Sequence, residues 1–126
     1  MIVKERTATH ANASEVLTRA VLRAAGKLDI PASSLAGILG LSAATVSRMK
    51  SGDYRLNGRR KEFELGVLFV RLFRSLDAIV GGEETIARQW LANQNLALGG
   101  RPAEKIRTIS GLSDVIAYLD ARRAVL

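Results

Sequence analysis

Cysteine is absent from this chain of 126 residues, which also contains only one histidine, His10, and two prolines. Without cysteine the protein has no disulfides and no thiolate ligands for a metal ion. One histidine is too few for a histidine-rich metal centre or for a catalytic triad with any redundancy, and we assign His10 no role. The scarcity of proline favours helices, and the lack of cysteine favours the cytoplasm.

A long apolar run is also missing. The most apolar segment, residues 63–80, is interrupted by Glu64, Arg71, Arg74 and Asp77, whereas a membrane-spanning helix needs about 20 predominantly apolar residues. The N-terminal residues lack the apolar core of a signal peptide. With 48% hydrophobic and 25% charged residues, the composition is that of a globular protein. We therefore expect a soluble, cytoplasmic protein without membrane contact.

The sequence contains no arrangement of residues typical of an enzyme. Paired carboxylates, clusters of metal ligands and nucleophile–base pairs are missing, and Ser47 and Ser51 have no histidine nearby in the sequence. The loop Gly99-Gly100-Arg101 lacks the lysine and the serine or threonine of a phosphate-binding P-loop. We expect no enzymatic activity, no metal and no cofactor.

Positive charge is concentrated in the N-terminal two-thirds of the chain. There are 19 Lys and Arg residues against 12 Asp and Glu residues, a net charge of +7. Residues 1–81 hold 13 of the basic and 7 of the acidic residues, a net charge of +6, which leaves +1 for residues 82–126. Such an excess favours an acidic polymer as partner, nucleic acid before membrane. The asymmetry indicates two functional parts, one of them suited to a polyanion.

The spacing of apolar residues predicts an all-α fold. We interpret the first eleven or so residues as a loose arm and expect a loop at Asn95–Pro102. Six helices and one short helical turn follow from the pattern. The helices are expected at about 13–28, 31–39, 43–50, 60–80, 83–93 and 110–124, and the turn at 103–108.

The segment Leu35–Met49 has the pattern of a helix-turn-helix. Two helices that cross closely need a small residue in the first, which Ala36 supplies, and a turn residue that tolerates positive φ, which Gly40 supplies. Ser42 is suited to cap the second helix. The residues that must pack against the neighbouring helix are apolar: Leu35, Leu39, Leu41, Val46 and Met49.

The second helix of this motif presents small and basic residues for DNA. Small side chains let a helix enter the major groove, Arg48 is suited to guanine, and basic residues after the helix are suited to phosphates. The alternative is an ordinary helical hairpin with a small, polar exposed face. The predicted DNA-binding residues are Ser42, Ala43, Ala44, Ser47, Arg48, Lys50, Ser51, Arg59 and Arg60, with Arg55 and Lys61 as further phosphate anchors.

This stretch resembles the Xre-type helix-turn-helix of phage and plasmid repressors, especially in Leu39-Gly40-Leu41-Ser42 and Thr45-Val46-Ser47-Arg48. The resemblance implies binding as a dimer to an inverted-repeat operator. The helix that follows is apolar on more than one face, which favours either a homodimer or a position at the centre of the monomer's core. We divide the chain into a DNA-binding region, 1–59, and a region with the dimerisation helix and a small helical domain, 60–126.

The C-terminal third contains a second recognisable pattern. It consists of Trp90-Leu91, the asparagines Asn93 and Asn95, the loop Leu98–Pro102, and a closing helix from Gly111-Leu112 through Leu119. These elements resemble the toxin-binding domain of Xre/MbcA/ParS-type antitoxins over about residues 60–126. Two positions depart from that family: Gln94 stands where proline is frequent, and Ser110 stands where glutamate is frequent.

The resemblance implies the antitoxin of a RES–Xre toxin–antitoxin module. The partner would be a RES-domain toxin, a protein similar to ADP-ribosyltransferases that depletes NAD, and the complex would repress its own operon. The alternative is a stand-alone dimeric transcriptional repressor whose C-terminal half only oligomerises. The implied toxin-binding residues are Trp90, Gly99, Gly100, Arg101, Tyr118, Arg122, Arg123 and Leu126.

The end of the last helix leads to a narrower hypothesis. Arg122, Arg123 and the free carboxylate of Leu126 stand beside apolar residues with no following chain to cover them. We expect them to occupy a toxin pocket that otherwise receives an anionic dinucleotide, without a longer tail. The alternative is a frayed and solvated helix end.

Overall fold

The computed structural model describes the backbone of residues 2–125 and the side chains of residues 12–124. Over that range the chain is all-α, as the apolar spacing predicts. The helices are α1 (Ile2–Lys27), α2 (Ala32–Leu39), α3 (Ala43–Lys50), α4 (Lys61–Ile79), α5 (Glu84–Ala92), α6 (Pro102–Lys105) and α7 (Ile109–Val125).

The first helix is longer than the sequence pattern predicts. We expected a loose arm over the first eleven residues, but α1 begins at Ile2, so that interpretation is wrong. Residues 2–25 contain neither glycine nor proline, and nothing in the backbone chemistry of this stretch opposes a helix. Apolar spacing is a poor guide here, because the regular stripe begins only at Val16.

The central helix, α4, is surrounded by the other helices of the same chain. It packs against α1, α2, α5 and α7, and its Phe69, Leu72 and Leu76 are almost completely buried. Of its large apolar side chains, Val67 is 46% exposed. Its other large apolar residues are half-buried: Phe63, Leu65, Leu68, Val70, Phe73 and Ile79. Helix α4 therefore lies at the centre of the monomer's core, while part of its apolar surface stays accessible.

A glycine allows the close approach of α1 to α4. Gly66 is buried, and a Cβ atom at this position would lie 3.0 Å from a Leu56 methyl carbon and 3.3 Å from a Leu17 methyl carbon. Helix α1 and the segment before α4 thus press directly on the α4 backbone. The N-terminal half of α4 is thereby part of the same packing unit as the helix-turn-helix.

Polar side chains join the C-terminal half of α4 to α7. The Asp120 carboxylate forms an ion pair with Arg71 and accepts a hydrogen bond of 3.0 Å from the Ser75 hydroxyl. Ser75 is only 1% exposed, so its hydroxyl needs this partner.

No helix within residues 2–125 is long and apolar enough to cross a membrane.

The start of α7 depends on a second close-packed glycine. The Thr108 hydroxyl accepts a hydrogen bond of 3.0 Å from the Gly111 N–H and so caps the first turn of α7. A Cβ atom on Gly111 would overlap the carbonyl oxygen of Lys105 and would lie 2.9 Å from the Thr108 hydroxyl oxygen. The obstacle is backbone, which a rotamer change does not relieve.

We predict that Gly111→Ala lowers the free energy of unfolding by about 1–3 kcal/mol or more, because the new methyl group displaces the chain around Lys105. Thermal unfolding followed by circular dichroism measures this. The matched control is Gly26→Ala in α1, where a Cβ atom meets nothing within 4 Å. That control should raise stability by about 0.5–1 kcal/mol. Equal melting temperatures for the two variants would contradict the packing argument.

Candidate nucleic-acid interface and C-terminal binding face

The turn between α2 and α3 has the geometry that Gly40 was predicted to permit. Gly40 follows α2 in the left-handed conformation, with φ 68°. The N–H of the next residue, Leu41, donates a hydrogen bond of 2.9 Å to the Ala36 carbonyl and closes the end of α2. Ala36 itself is 5% exposed, as a small residue at a helix crossing must be. The prediction of a positive-φ turn at Gly40 is confirmed.

The predicted cap of α3 is also present. The Ser42 side chain accepts a hydrogen bond of 3.1 Å from the Thr45 N–H, which satisfies one of the free donors at the helix start. The cap defines where α3 begins. The orientation of α3 relative to α2 is set by the apolar residues that pack on its buried face. Four of the five residues predicted to pack are buried and one is half-buried: Leu35, Leu39, Val46 and Met49, and then Leu41.

All nine residues predicted to bind DNA are exposed. Within α3, Ala43, Ala44 and Ser47 give the exposed face a small-residue surface. Arg48 and Lys50 add charge to the last turn of the helix. Ser51, directly after α3, has its hydroxyl within hydrogen-bond distance of the Arg48 carbonyl at 3.1 Å and of the Asp53 carboxylate at 3.0 Å, so its proton is held by its own chain. All nine predicted residues are thus open to solvent, and four of them are basic: Arg48, Lys50, Arg59 and Arg60.

The loop between α3 and α4 is ordered by a buried carboxylate that the sequence analysis missed. Glu62, in the first turn of α4, is 4% exposed. Its Oε2 atom accepts a hydrogen bond of 2.6 Å from the Tyr54 hydroxyl and one of 2.9 Å from the Asn57 N–H. Next to it, the Leu56 N–H donates to the Thr18 hydroxyl at 3.0 Å, which ties the loop to α1. Tyr54 and Leu56 in an otherwise polar loop were the signals available in the sequence.

Tyr54 also contacts the recognition surface. The guanidinium carbon of Arg48 lies over the Tyr54 ring, 5.6 Å from its centroid. Burial, and then the hydrogen bond to Glu62 and the charge of Glu62, raise the pKa of Tyr54, while the charges of Arg60 and Arg48 act in the opposite direction. The phenol therefore lies near charges from both ends of the loop, since Arg48 is on α3 and Arg60 directly precedes α4.

The C-terminal half presents an ordered loop. The Asn95 side chain accepts a hydrogen bond of 3.1 Å from the Leu98 N–H, and the Asn95 N–H donates to the Gly100 carbonyl at 3.0 Å. Gly99 has φ 73°, a conformation that glycine adopts without strain. At the tip, Leu96 is 95% exposed, a feature that sequence reasoning missed because nothing in the pattern distinguishes Leu96 from the other leucines.

Two aromatic rings stack between α5, which precedes this loop, and α7, which follows it further along the chain. The rings of Trp90 on α5 and Tyr118 on α7 are stacked, with centroids 6.1 Å apart and an angle of 22° between their planes. The Arg122 guanidinium lies over the same Tyr118 ring, 5.4 Å from its centroid. Three of the predicted toxin-binding residues are thus in contact with one another.

The remaining predicted residues of this face are less uniform. Arg123 donates a hydrogen bond of 3.5 Å to the Ser75 hydroxyl, so it takes part in the α4–α7 contact as well as facing solvent. Arg101 is exposed and lies 3.9 Å from the Glu104 carboxylate. Leu126 lies outside the described residues. Helix α7 extends through Val125, and the choice between a toxin-binding helix end and a frayed end stays as the sequence analysis left it.

Two arginines connect the halves of the chain. Arg88 on α5 donates from Nε to the carbonyl of Lys27, the last residue of α1, at 2.9 Å. The Arg107 side chain lies against Gly37 of α2, 3.2 Å from where a Cβ atom would stand. Between these contacts is a largely apolar cavity of about 210 Å³ that α5 and α6 share with the α1–α2 connection. The C-terminal region therefore packs against the end of α1 and against α2 of the helix-turn-helix.

Comparison with known proteins agrees with this division of surfaces. A model of the antitoxin Xre-like helix-turn-helix domain matches residues 8–71. A model of the antitoxin Xre/MbcA/ParS C-terminal toxin-binding domain matches residues 75–124. The two matches meet inside α4, whereas our division of the chain at residue 60 stays a prediction. A search of curated proteins found no match.

We predict that Tyr54 ionises at higher pH in the folded protein than in the unfolded chain. The chain has two tyrosines, so Tyr118→Phe leaves Tyr54 as the sole phenol, and its ultraviolet absorbance reports the titration. The stability that Tyr54 contributes should be complete below the ordinary pKa of 10.0 and should be lost as pH rises through the raised pKa.

The comparison variant carries Glu62→Gln in addition to Tyr118→Phe. Removal of the carboxylate charge should lower the Tyr54 pKa part of the way, because burial, the largest cause, remains. A Tyr54 titration that coincides in folded and denaturant-unfolded protein would contradict the assignment of the Tyr54–Glu62 contact.

Proposed function

Because the chain belongs to the Xre-like antitoxin family, we propose that it neutralises a RES-domain toxin that degrades NAD and represses its own operon. The observation that carries this proposal is the joining of two surfaces on one core, each within the family match of its own kind. The first is the exposed, basic face of α3, and the second is the Trp90–Tyr118–Arg122 face. The chain carries a helix-turn-helix DNA-binding domain and a toxin-binding domain.

On the DNA side, we propose that α3 enters the major groove. Its exposed alanines and Ser47 would leave room for the groove wall, and the exposed Arg48 would donate two hydrogen bonds to a guanine. Lys50, Arg59 and Arg60 would contact phosphates, which sets the register without reading sequence. The net charge of +6 over residues 1–81 supports the approach to DNA.

We further propose that the protein binds its operator as a homodimer. An inverted repeat presents two equivalent half-sites, and a two-fold symmetric protein matches them with two copies of α3. On α4, Phe69, Leu72 and Leu76 are already buried within the monomer, so the apolar character of this helix does not by itself require a second copy. The support for the dimer therefore comes from the helix-turn-helix itself rather than from an uncovered apolar helix.

On the toxin side, we propose that the aromatic stack and the Asn95–Gly100 loop form the contact surface. Tyrosine, tryptophan and arginine are the residues most often found at the energetic centre of protein interfaces. The loop is pre-ordered by its internal hydrogen bonds, so little conformational entropy is lost when a partner covers Gly99, Gly100, Arg101 and the exposed Leu96. Such an antitoxin acts by occupying its partner and needs no catalytic group of its own.

The function is tested by co-expression with the protein encoded by the adjacent gene. A stable complex on size-exclusion chromatography, restored growth and preserved cellular NAD are the expected results. A reporter fused to the operon's upstream DNA should be repressed when the chain is present. If the reporter is repressed but the chain forms no complex with the product of the adjacent gene, the alternative of a stand-alone dimeric repressor is favoured. A toxin that binds the chain but leaves cellular NAD unchanged would contradict the RES assignment.

We predict that Arg48→Ala and Arg60→Ala weaken DNA binding in different ways. Arg48→Ala should cost about 1–3 kcal/mol on a specific duplex and little on random DNA, because a base contact carries sequence information. Arg60→Ala should weaken binding to both duplexes and should reduce the slope of log affinity against log salt by about 1. Fluorescence anisotropy over a range of salt concentrations measures both effects.

The control for these variants is Arg74→Ala, an exposed arginine in the C-terminal half of α4. Its affinity and salt slope should equal those of the unmodified chain. An equal loss on specific and random DNA for Arg48→Ala would assign Arg48 to a phosphate instead of a base.

We predict that Arg122→Ala weakens toxin binding by about 1–3 kcal/mol, because the guanidinium above Tyr118 is exposed and central to the proposed face. Isothermal titration calorimetry with the purified toxin measures the change. Arg23→Ala, an exposed arginine on α1, serves as the matched control and should bind normally. Unchanged affinity for both variants would remove Arg122 from the toxin interface.

A further inference from the structure

We propose that Tyr54 is a positioning residue for base recognition, whose ring, anchored by Glu62, orients the Arg48 guanidinium toward DNA. This inference rests on the proposed DNA binding of α3 and deepens it. Tyr54 lies in the loop after the recognition helix, outside the residues that the helix-turn-helix pattern assigns to DNA contact. Its role would be exerted through Arg48 and not by contact with a base.

The loop brings the ring under the arginine by folding back on the end of α3. The Gly52 N–H donates to the Met49 carbonyl at 3.1 Å, and the Asp53 N–H donates to the Arg48 carbonyl at 2.8 Å. Gly52 has φ 86°, which makes the reversal of direction possible without strain. Tyr54 is the first residue after this reversal, and its ring consequently lies against the last turn of α3.

The ring is in turn fixed to the core helix. The Tyr54 hydroxyl donates to Glu62 at 2.6 Å, and Glu62 is 4% exposed on α4. A hydrogen bond to a charged acceptor in such a site is shorter and stronger than one between neutral groups. The Asn57 N–H, at 2.9 Å, holds the same Glu62 oxygen from the other side of the loop. The position of the ring is therefore set by α4 and not by the loop alone.

The contact with Tyr54 leaves Arg48 available for a base. A cation over an aromatic face interacts through the face of the guanidinium or its edge, and the remaining N–H donors stay free for guanine O6 and N7. Among the side chains of residues 12–124, no carboxylate lies within 4.0 Å of an Arg48 nitrogen, so no internal ion pair competes with DNA. An arginine held in one orientation loses less entropy when it binds.

The test uses the full chain and the duplex that it enriches from a random-sequence pool. Replacing single guanines by 7-deazaguanine removes N7 and identifies the guanine whose contact is lost in Arg48→Ala. The readout is the ratio of affinities for the guanine and 7-deazaguanine duplexes. A residue that only stabilises the fold changes both affinities together and leaves this ratio unchanged.

We expect Tyr54→Leu to reduce this ratio by about 2- to 5-fold, the value of a cation–π contact at an exposed site. In an Arg48→Ala background the same substitution should have no effect on the ratio. Tyr54→Phe, which keeps the ring and loses the anchor to Glu62, should give an intermediate ratio. Phe73→Leu is the matched control, since it removes the aromatic ring of another cation–π contact, that of Lys27 over Phe73 at 5.9 Å, and it should leave the ratio unchanged.

Other outcomes overturn the inference at distinct levels. An unchanged ratio for Tyr54→Leu in protein that melts normally, or an equal effect in the Arg48→Ala background, shows that Tyr54 does not act through Arg48. If no guanine of the enriched duplex is found whose contact is lost in Arg48→Ala, the inference is also overturned, while the proposed DNA binding stands. Failure of the unmodified chain to enrich any sequence overturns the proposed DNA-binding function and this inference with it.

Discussion

The packing of neighbouring helices on α4 is the constraint on which the rest of the structure depends. At Gly66 the α4 backbone is in contact with Leu17 of α1 and with Leu56 of the loop that follows α3. Five and nine residues further along α4, Arg71 and Ser75 hold α7 through Asp120. A single helix therefore packs against the helix-turn-helix domain through its N-terminal half and against α7 of the toxin-binding domain through its C-terminal half. Because interiors are close-packed, a shift of α4 would be felt on both.

A buried carboxylate gives the DNA-binding end its order. A charge taken out of water is costly unless it is hydrogen-bonded, and Glu62 receives the Tyr54 hydroxyl and the Asn57 N–H at 2.6 and 2.9 Å. Its place in the first turn of α4 adds the favourable field of a helix N-terminus. If either donor moved away, Glu62 would be left short of partners. The loop after α3 therefore stays ordered because its disordering would leave a buried carboxylate without donors. The same hydrogen bonds hold the Tyr54 ring beneath Arg48.

The features that were predictable from sequence are local ones. Gly40 and Ser42 satisfy requirements that involve neighbours within five residues, so the turn and the cap could be inferred without knowing the fold. The pairs Tyr54–Glu62 and Ser75–Asp120 join residues 8 and 45 positions apart, and no periodicity marks them. The start of α1 was missed for a different reason: the prediction depended on regular apolar spacing, and a helix that continues beyond the regular apolar stripe of its sequence leaves no such signal.

The two surfaces use different interactions, and this explains why net charge revealed only one of them. Phosphates are long-range targets, so a DNA-binding face requires an excess of basic residues, and residues 1–81 carry a net charge of +6. A protein partner is held by apolar and aromatic contact over a few ångströms, as the Trp90–Tyr118 stack and the exposed Leu96 allow, and residues 82–126 carry +1. Because only the first kind of interaction is long-ranged and screened by salt, net charge indicates a polyanionic partner and carries no information about a protein-binding face.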